Sequence, residues 1–147
     1  MCKVLFFISL PSVVAMDTDI RIIAESDFGD FRISLREDNI MHIFVRPYVL
    51  VEKHMISQGM TFIQELGERK CLNLFEFSEV ASVDDEARKW AADENGNRYT
   101  IADAMLIISP AQKLVANFYL PYHKPPKPTR FFTKKESAIR WLKKHSH

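Results

Sequence analysis

Cysteine and glycine are both scarce. Two cysteines, Cys2 and Cys71, among 147 residues support neither a disulfide framework nor a four-cysteine zinc site, and a reducing compartment is the simpler setting. Four glycines leave no glycine-rich loop to cradle a phosphate. No apolar run approaches the roughly 18 to 20 residues needed to span a bilayer. The five histidines are scattered rather than set at metal-ligand spacing. His42 falls in a strand pattern, His54 on a polar helix face, His123 beside prolines, and His145 and His147 at the terminus. Nucleophile motifs, Walker loops, dinucleotide fingerprints and His-Glu-x-x-His helices are all lacking. The residues thus name no catalytic group, metal or cofactor, and the expectation is a non-enzymatic protein.

What is present describes an ordinary globular chain: 47% apolar, 12% aromatic and 27% charged residues, which excludes disorder as the main state. The length suits one domain. A net charge of +1 hides an uneven distribution. Residues 1–122 carry a balance of −6, whereas residues 123–147 carry +7. A cationic pole of this kind fits an anionic partner or a solvated helix end.

The first residues, Met-Cys-Lys followed by Val4 to Leu10 and then Ser12 to Ala15, have the outline of a secretory signal, although Pro11 interrupts it. Met16 stands before Asp-Thr-Asp-Ile, so an upstream start site gives the same outline. Residues 1–18 are therefore set apart as an N-terminal extension, and 19–147 form a single domain. A cytoplasmic location is expected, with secretion as the lesser alternative.

From Phe31 the pattern becomes regular. Phe31 to Arg36 and Ile40 to Val45 flank an Asp38-Asn39 turn as a hairpin. Val51, Met55, Phe62, Ile63 and Leu66 recur at helical spacing, so helix one covers about 51–66, with Gly59 in the stripe and Gly67 as its C-terminal cap. Cys71 to Phe77 suits a buried strand. Ser82 supplies an N-cap hydroxyl for a second helix that buries Ala87, Trp90 and Ala91 and ends at Asn95-Gly96-Asn97. Ala104 to Ser109 is the next strand. Ser109-Pro110-Ala111-Gln112 forms a capping box for a third helix burying Leu114, Val115 and Phe118. After a proline-rich connection at 123–130, Thr129 to Phe132 is a short strand, and Thr133 to Glu136 is a second capping box before a helix burying Ala138, Ile139 and Leu142. The order β-β-α-β-α-β-α-β-α calls for an α/β fold: a mostly parallel five-stranded sheet with an antiparallel edge strand and about four helices.

Two clusters are candidate sites. Asp84, Asp85 and Glu86 open the second helix just beyond a strand's C-terminal end, where open α/β sheets present functional loops; acids in a first turn also stabilise the helix itself by roughly 0.3 to 1 kcal/mol. Lys124, Lys127 and Arg130 thread through prolines near aromatics and form a candidate anion-binding surface. Their plain alternative is a rigid, solvated connector.

Residues from about Phe28 to His145 resemble the STAS-like domains, the fold of bacterial anti-sigma-factor antagonists. Within that fold the chain is similar to an uncharacterised group of small bacterial proteins, through the Ser82 to Arg88 block and through Ala116 to Leu120, Lys124-Pro125 and Pro128 to Phe132. The resemblance implies a non-enzymatic interaction module without cofactor. Antagonists of this kind present an Asp-Ser-Ser-Gly-like loop whose second serine is phosphorylated; the matching loop here, Val83 to Ala87, keeps Asp84 as its leading aspartate and lacks the acceptor serine.

Three functions follow as alternatives. The first is a regulatory module that binds a protein, or itself, through Asp84, Asp85 and Glu86. The second is a carrier of a lipid or other apolar ligand, suggested by related lipid-transfer folds and by abundant Phe and Met. The third is anion-dependent contact with nucleic acid or a membrane surface through Lys124, Lys127 and Arg130, with no DNA or RNA expected as the main partner. A deep apolar pocket beneath helix one or three favours the carrier, and a filled core favours the module.

Overall fold

The computed structural model describes residues 4–5, 19–113 and 125–146. In chain order the elements are β1 (Val4–Leu5), β2 (Ile22–Asp27), β3 (Phe31–Arg36), β4 (Ile40–Val45), β5 (Leu50–Val51), α1 (Lys53–Glu65), β6 (Cys71–Phe77), β7 (Ser82–Val83), α2 (Asp85–Ala91), a 3-10 turn (Asn95–Asn97), β8 (Thr100–Leu106), the start of α3 (110–113), β9 (Thr129–Phe132) and α4 (Lys135–Lys143).

Strands β1-β2-β3-β4-β6-β8-β9 form one seven-stranded mixed sheet in that spatial order. Pairing is antiparallel from β1 to β4 and parallel from β4 to β9. The five expected strands stand side by side as β3, β4, β6, β8 and β9, but β3 is not an edge. Two further strands extend the antiparallel side, with Ile22 and Ala24 flanking a register shift. The sequence signal of β2 is weak because its most buried positions, Ala24 and Ser26, are small residues rather than β-branched ones. Within the segment set apart as an extension, Val4 and Leu5 pair with Ser26 and Glu25; the rest of 1–18 lies outside the described residues, as do Leu114, Val115 and Phe118.

Alternation divides the sheet cleanly. One face carries Phe31, Ile33, Met41, Ile43, Cys71 and Phe77 and packs beneath α1, whose Met55, Phe62 and Ile63 are buried. The other carries Ile40, Leu72, Leu74, Ala102, Ala104 and Leu106 beneath Ala138, Ile139 and Leu142 of α4. Strand β6 is therefore covered on both sides, which is why Cys71 to Phe77 reads as a nearly unbroken apolar run. Phe131 belongs to the first face, while Phe132 meets the Trp141 ring at 5.6 Å on the second.

The helix ends explain where sequence expectation and structure part. Gly67, at φ 90°, closes α1 in a Schellman motif: its N–H donates to Gln64 and that of Glu68 to Ile63. The capping box at α3 forms as expected, Gln112 N donating to Ser109 Oγ at 3.1 Å and Ser109 N to Gln112 Oε1 at 3.3 Å. By contrast, α1 begins at Lys53 rather than 51, because Leu50 and Val51 pair with Ser82 and Val83. The same pairing removes Ser82 from the cap of α2. Asp84 takes that place, its Oδ1 accepting from Ala87 N at 2.7 Å. The second expected capping box is also absent: Lys134 is the N-cap of α4 and makes no side-chain cap bond. Helix α2 stops at Ala91, and Asn97 secures the turn beyond by donating to the carbonyls of Ala91 and Asp93. Finally, β8 runs from Thr100 to Leu106 rather than from Ala104 to Ser109: pairing with Cys71 to Asn73 draws in its start, and its end comes early because Ile108 N and Ser109 N leave the sheet for Gln112 Oε1.

Candidate functional site

Between the first sheet face and helices α1 and α2 lies an apolar cavity of about 420 Å³, within the range of small-molecule sites. Met55, Gly59, Met60 and Ile63 line it from α1, and Phe75, Met105 and Phe131 from the sheet. Gly59 belongs to the packed stripe, but its approach is not tight. A Cβ built there meets only Ile33 Cδ1, at 3.9 Å, so the glycine leaves space in the layer rather than permitting backbone contact.

Polar groups interrupt the apolar wall. Asn73 on β6 and Asp103 on β8 stand directly opposite each other in the parallel ladder. Each is about nine-tenths buried, at 7% exposure. Asn73 Nδ2 donates to Asp103 Oδ1 at 2.8 Å and to Thr100 Oγ1 at 3.1 Å. Both amide hydrogens are thereby used, while Asn73 Oδ1 is buried without a partner among the described residues. Burial pushes the Asp103 carboxyl up to about 6, and the Asn73 hydrogen bond opposes that rise. A buried acceptor without a donor costs ~1–3 kcal/mol, an expense that a ligand donor would offset.

Neither residue was among the sequence candidates. Asn and Asp are depleted in strands, so each was a signal within its apolar segment. Asp103 was further obscured because the strand was expected to begin one residue later, at Ala104.

The acidic cluster lies beside this layer, at the start of α2. Asp84 is the cap. Asp85 lies 2.9 Å from Lys89 and 3.5 Å from Arg88, and those hydrogen bonds, Lys89 first, hold its carboxyl below the ordinary range. Glu86 is exposed. Of the basic cluster, Lys124 lies outside the described residues, Lys127 is half-buried, and the exposed Arg130 holds its guanidinium 5.3 Å from the Phe132 ring centre. These two clusters and the cavity floor are not one site.

On the opposite face His42 Nε2 lies 2.6 Å from Glu76 Oε2, and Lys135 is 3.7 Å from the same oxygen. The His42 hydrogen bond is the chief cause holding Glu76 below the usual carboxylate range. Cys71 is fully buried, and desolvation pushes its thiol up to about 11, which is a core filler's setting rather than a nucleophile's. Among the described residues, no cluster of His, Cys, Asp and Glu is placed to hold a metal ion, and no helix is long and apolar enough to cross a membrane.

No curated protein matches the chain. A solved structure of a protein with unknown function from Arthrobacter sp. FB24 is 22% identical, covering 76% of this chain and 97% of its own, with a TM-score of 0.27. A family model described as a domain of unknown function (DUF7793) matches residues 33–146, from the third residue of β3 to beyond the end of α4. The chain belongs to the DUF7793 family.

Proposed function

We propose that this domain binds an apolar small molecule between its sheet and helix α1, acting as a carrier or sensor of that ligand. The observation that carries the reading is the 420 Å³ apolar cavity beneath α1, the feature that separates a carrier from a module with a filled core. Asn73 Oδ1 beside it, without a partner among the described residues, supplies the polar group that orients a ligand in such sites. We also read the fold as STAS-like, supported by the succession β3, β4, α1, β6, α2, β8, α3, β9, α4.

The test is titration with the apolar fluorophore N-phenyl-1-naphthylamine. Saturable fluorescence enhancement at micromolar concentration is expected, and it should be lost in Gly59→Leu, whose added side chain enters the cavity from a position with space for a Cβ. Leucine favours the helix over glycine by ~0.7–1 kcal/mol, so the variant should remain folded. Unaltered fluorophore binding by a folded Gly59→Leu protein contradicts the proposal.

A second reading, the protein-interaction module, is favoured by four exposed apolar side chains after the C-terminal ends of parallel strands. Tyr48, Leu50, Val80 and Ile108 are 74%, 48%, 56% and 61% exposed, and the Asp84 to Glu86 turn follows Val80 in the chain. Sedimentation of the purified domain against Val80→Asp tests self-association through this end. A monomer at all concentrations removes that form of the module.

A further inference from the structure

We infer that the cavity selects a ligand whose polar end donates hydrogen bonds, an ammonium or hydroxyl group on an apolar chain, and discriminates against a carboxylate-ended chain. This rests on the reading of the cavity as a ligand site and adds the chemistry of the ligand's head.

The hydrogen-bond capacity left at the cavity floor is mostly that of acceptors. Asn73 has spent its donors, and its Oδ1 can only accept. Asp103 takes the Asn73 amide on Oδ1, and its other oxygen has no described partner. Thr100 accepts from Asn73 and keeps its hydroxyl hydrogen. The floor therefore presents two acceptors and a single hydroxyl donor.

Of the other polar side chains that line the cavity, Arg88, Gln112, Asn97 and Tyr99 have partners of their own, while Ser82 and Ser109 add hydroxyls nearer its rim. Arg88 donates from Nη1 to the Val83 carbonyl at 2.7 Å and pairs through Nη2 with the Asp85 carboxylate at 3.5 Å, so its charge is already matched by an anion of the protein. Gln112 gives both amide hydrogens to the carbonyls of Ser78 and Ala81, each at 2.9 Å. Asn97 donates to Ala91 and Asp93. Tyr99 donates to Glu68 and accepts from Gln64.

A ligand hydroxyl can donate to Asn73 or Asp103 while accepting from Thr100. An ammonium adds charge pairing with Asp103. A carboxylate would place a second negative charge beside one already desolvated, and like charges in a site of low dielectric are strongly disfavoured. The raised Asp103 value, about 6, points the same way, since a bare buried carboxylate gains from a cation.

Displacement of N-phenyl-1-naphthylamine by decylamine, decanol and decanoate decides the matter, because the three share a chain and differ only at the head. At about pH 8, where Asp103 is ionised, decylamine and decanol should displace the fluorophore at concentrations at least about tenfold below decanoate, equivalent to ~1.4 kcal/mol. In Asp103→Asn the ratio between amine and carboxylate should fall towards one. Equal displacement by all three in the wild type, with the fluorophore bound, overturns the head-group inference and leaves the cavity reading intact. Failure of the fluorophore to bind at all overturns the cavity reading itself. The wild-type ranking is decisive even if the variant folds poorly.

Discussion

Replacing Asp103 with Asn should change how stability depends on pH, with a sign fixed by the direction of the carboxyl's shift. The folded value, about 6, lies above the ordinary 3.8 because burial disfavours the charged form. The folded state then binds its proton more tightly than the unfolded chain does. Wild-type stability from this group is fully present below about pH 4, falls as pH rises through about 6, and stays lost above that. A shift of about two units corresponds to roughly 3 kcal/mol as an upper bound. An Asn side chain keeps an oxygen to accept from Asn73 Nδ2 and carries no charge to desolvate. Its new amide hydrogens add a cost that does not vary with pH, so the slope is the informative quantity. Urea unfolding of both proteins at several values between about pH 4 and about pH 8 measures it. The variant should gain on the wild type by 1 to about 3 kcal/mol across that interval and then level off. A difference that is flat with pH, or that falls as pH rises, would refute the claim that a desolvated carboxylate sits at the floor of the cavity.

Other consequences follow from local geometry. Gly59→Ala should raise stability by up to ~1 kcal/mol in thermal or chemical unfolding, because a Cβ meets Ile33 at an ordinary 3.9 Å and the helix loses a glycine. Gln112→Ala should destabilise by about 2 kcal/mol or more, since it strands the carbonyls of Ser78 and Ala81 and the amides of Ile108 and Ser109; a change in unfolding midpoint near zero counts against that role. Phe62→Ala should cost ~3–5 kcal/mol, as the ring is wholly buried beneath α1. Glu76 behaves oppositely to Asp103. Its lowered value gives stability above the ordinary carboxylate range that is lost as pH falls, so Glu76→Gln should narrow its gap to the wild type on acidification, which an acid-unfolding series reads directly.

Much of the fold was legible because strand alternation and apolar runs report faces directly. Phe31 to Arg36, Ile40 to Val45 and Cys71 to Phe77 have the expected bounds; Gly67 ends α1 and the Ser109 to Gln112 box opens α3 as expected. What failed to show in the sequence depended on partners distant in the chain. Ser82 is a good N-cap residue by type, and only its pairing beside Leu50 moved the cap to Asp84. Strand β2 buries small side chains that give little pattern. Asn73 and Asp103 are 30 residues apart and meet through strand register, which composition does not reveal. The stripe of Met55, Gly59, Phe62 and Ile63 identified the face of α1 turned to the sheet. It did not disclose that the layer beneath it holds a cavity, because periodicity reports direction and not volume.

The most direct measurement of ligand binding uses the methionines of the cavity as reporters. Met55, Met60 and Met105 line it from helix and sheet, and their methyl groups can be labelled with carbon-13 and observed by NMR with N-phenyl-1-naphthylamine bound. A ligand seated in the cavity should give intermolecular NOEs from the aromatic protons of the fluorophore to the methyls of Met55, Met60 and Met105 together. NOEs missing from all three while the fluorophore is bound would contradict binding there.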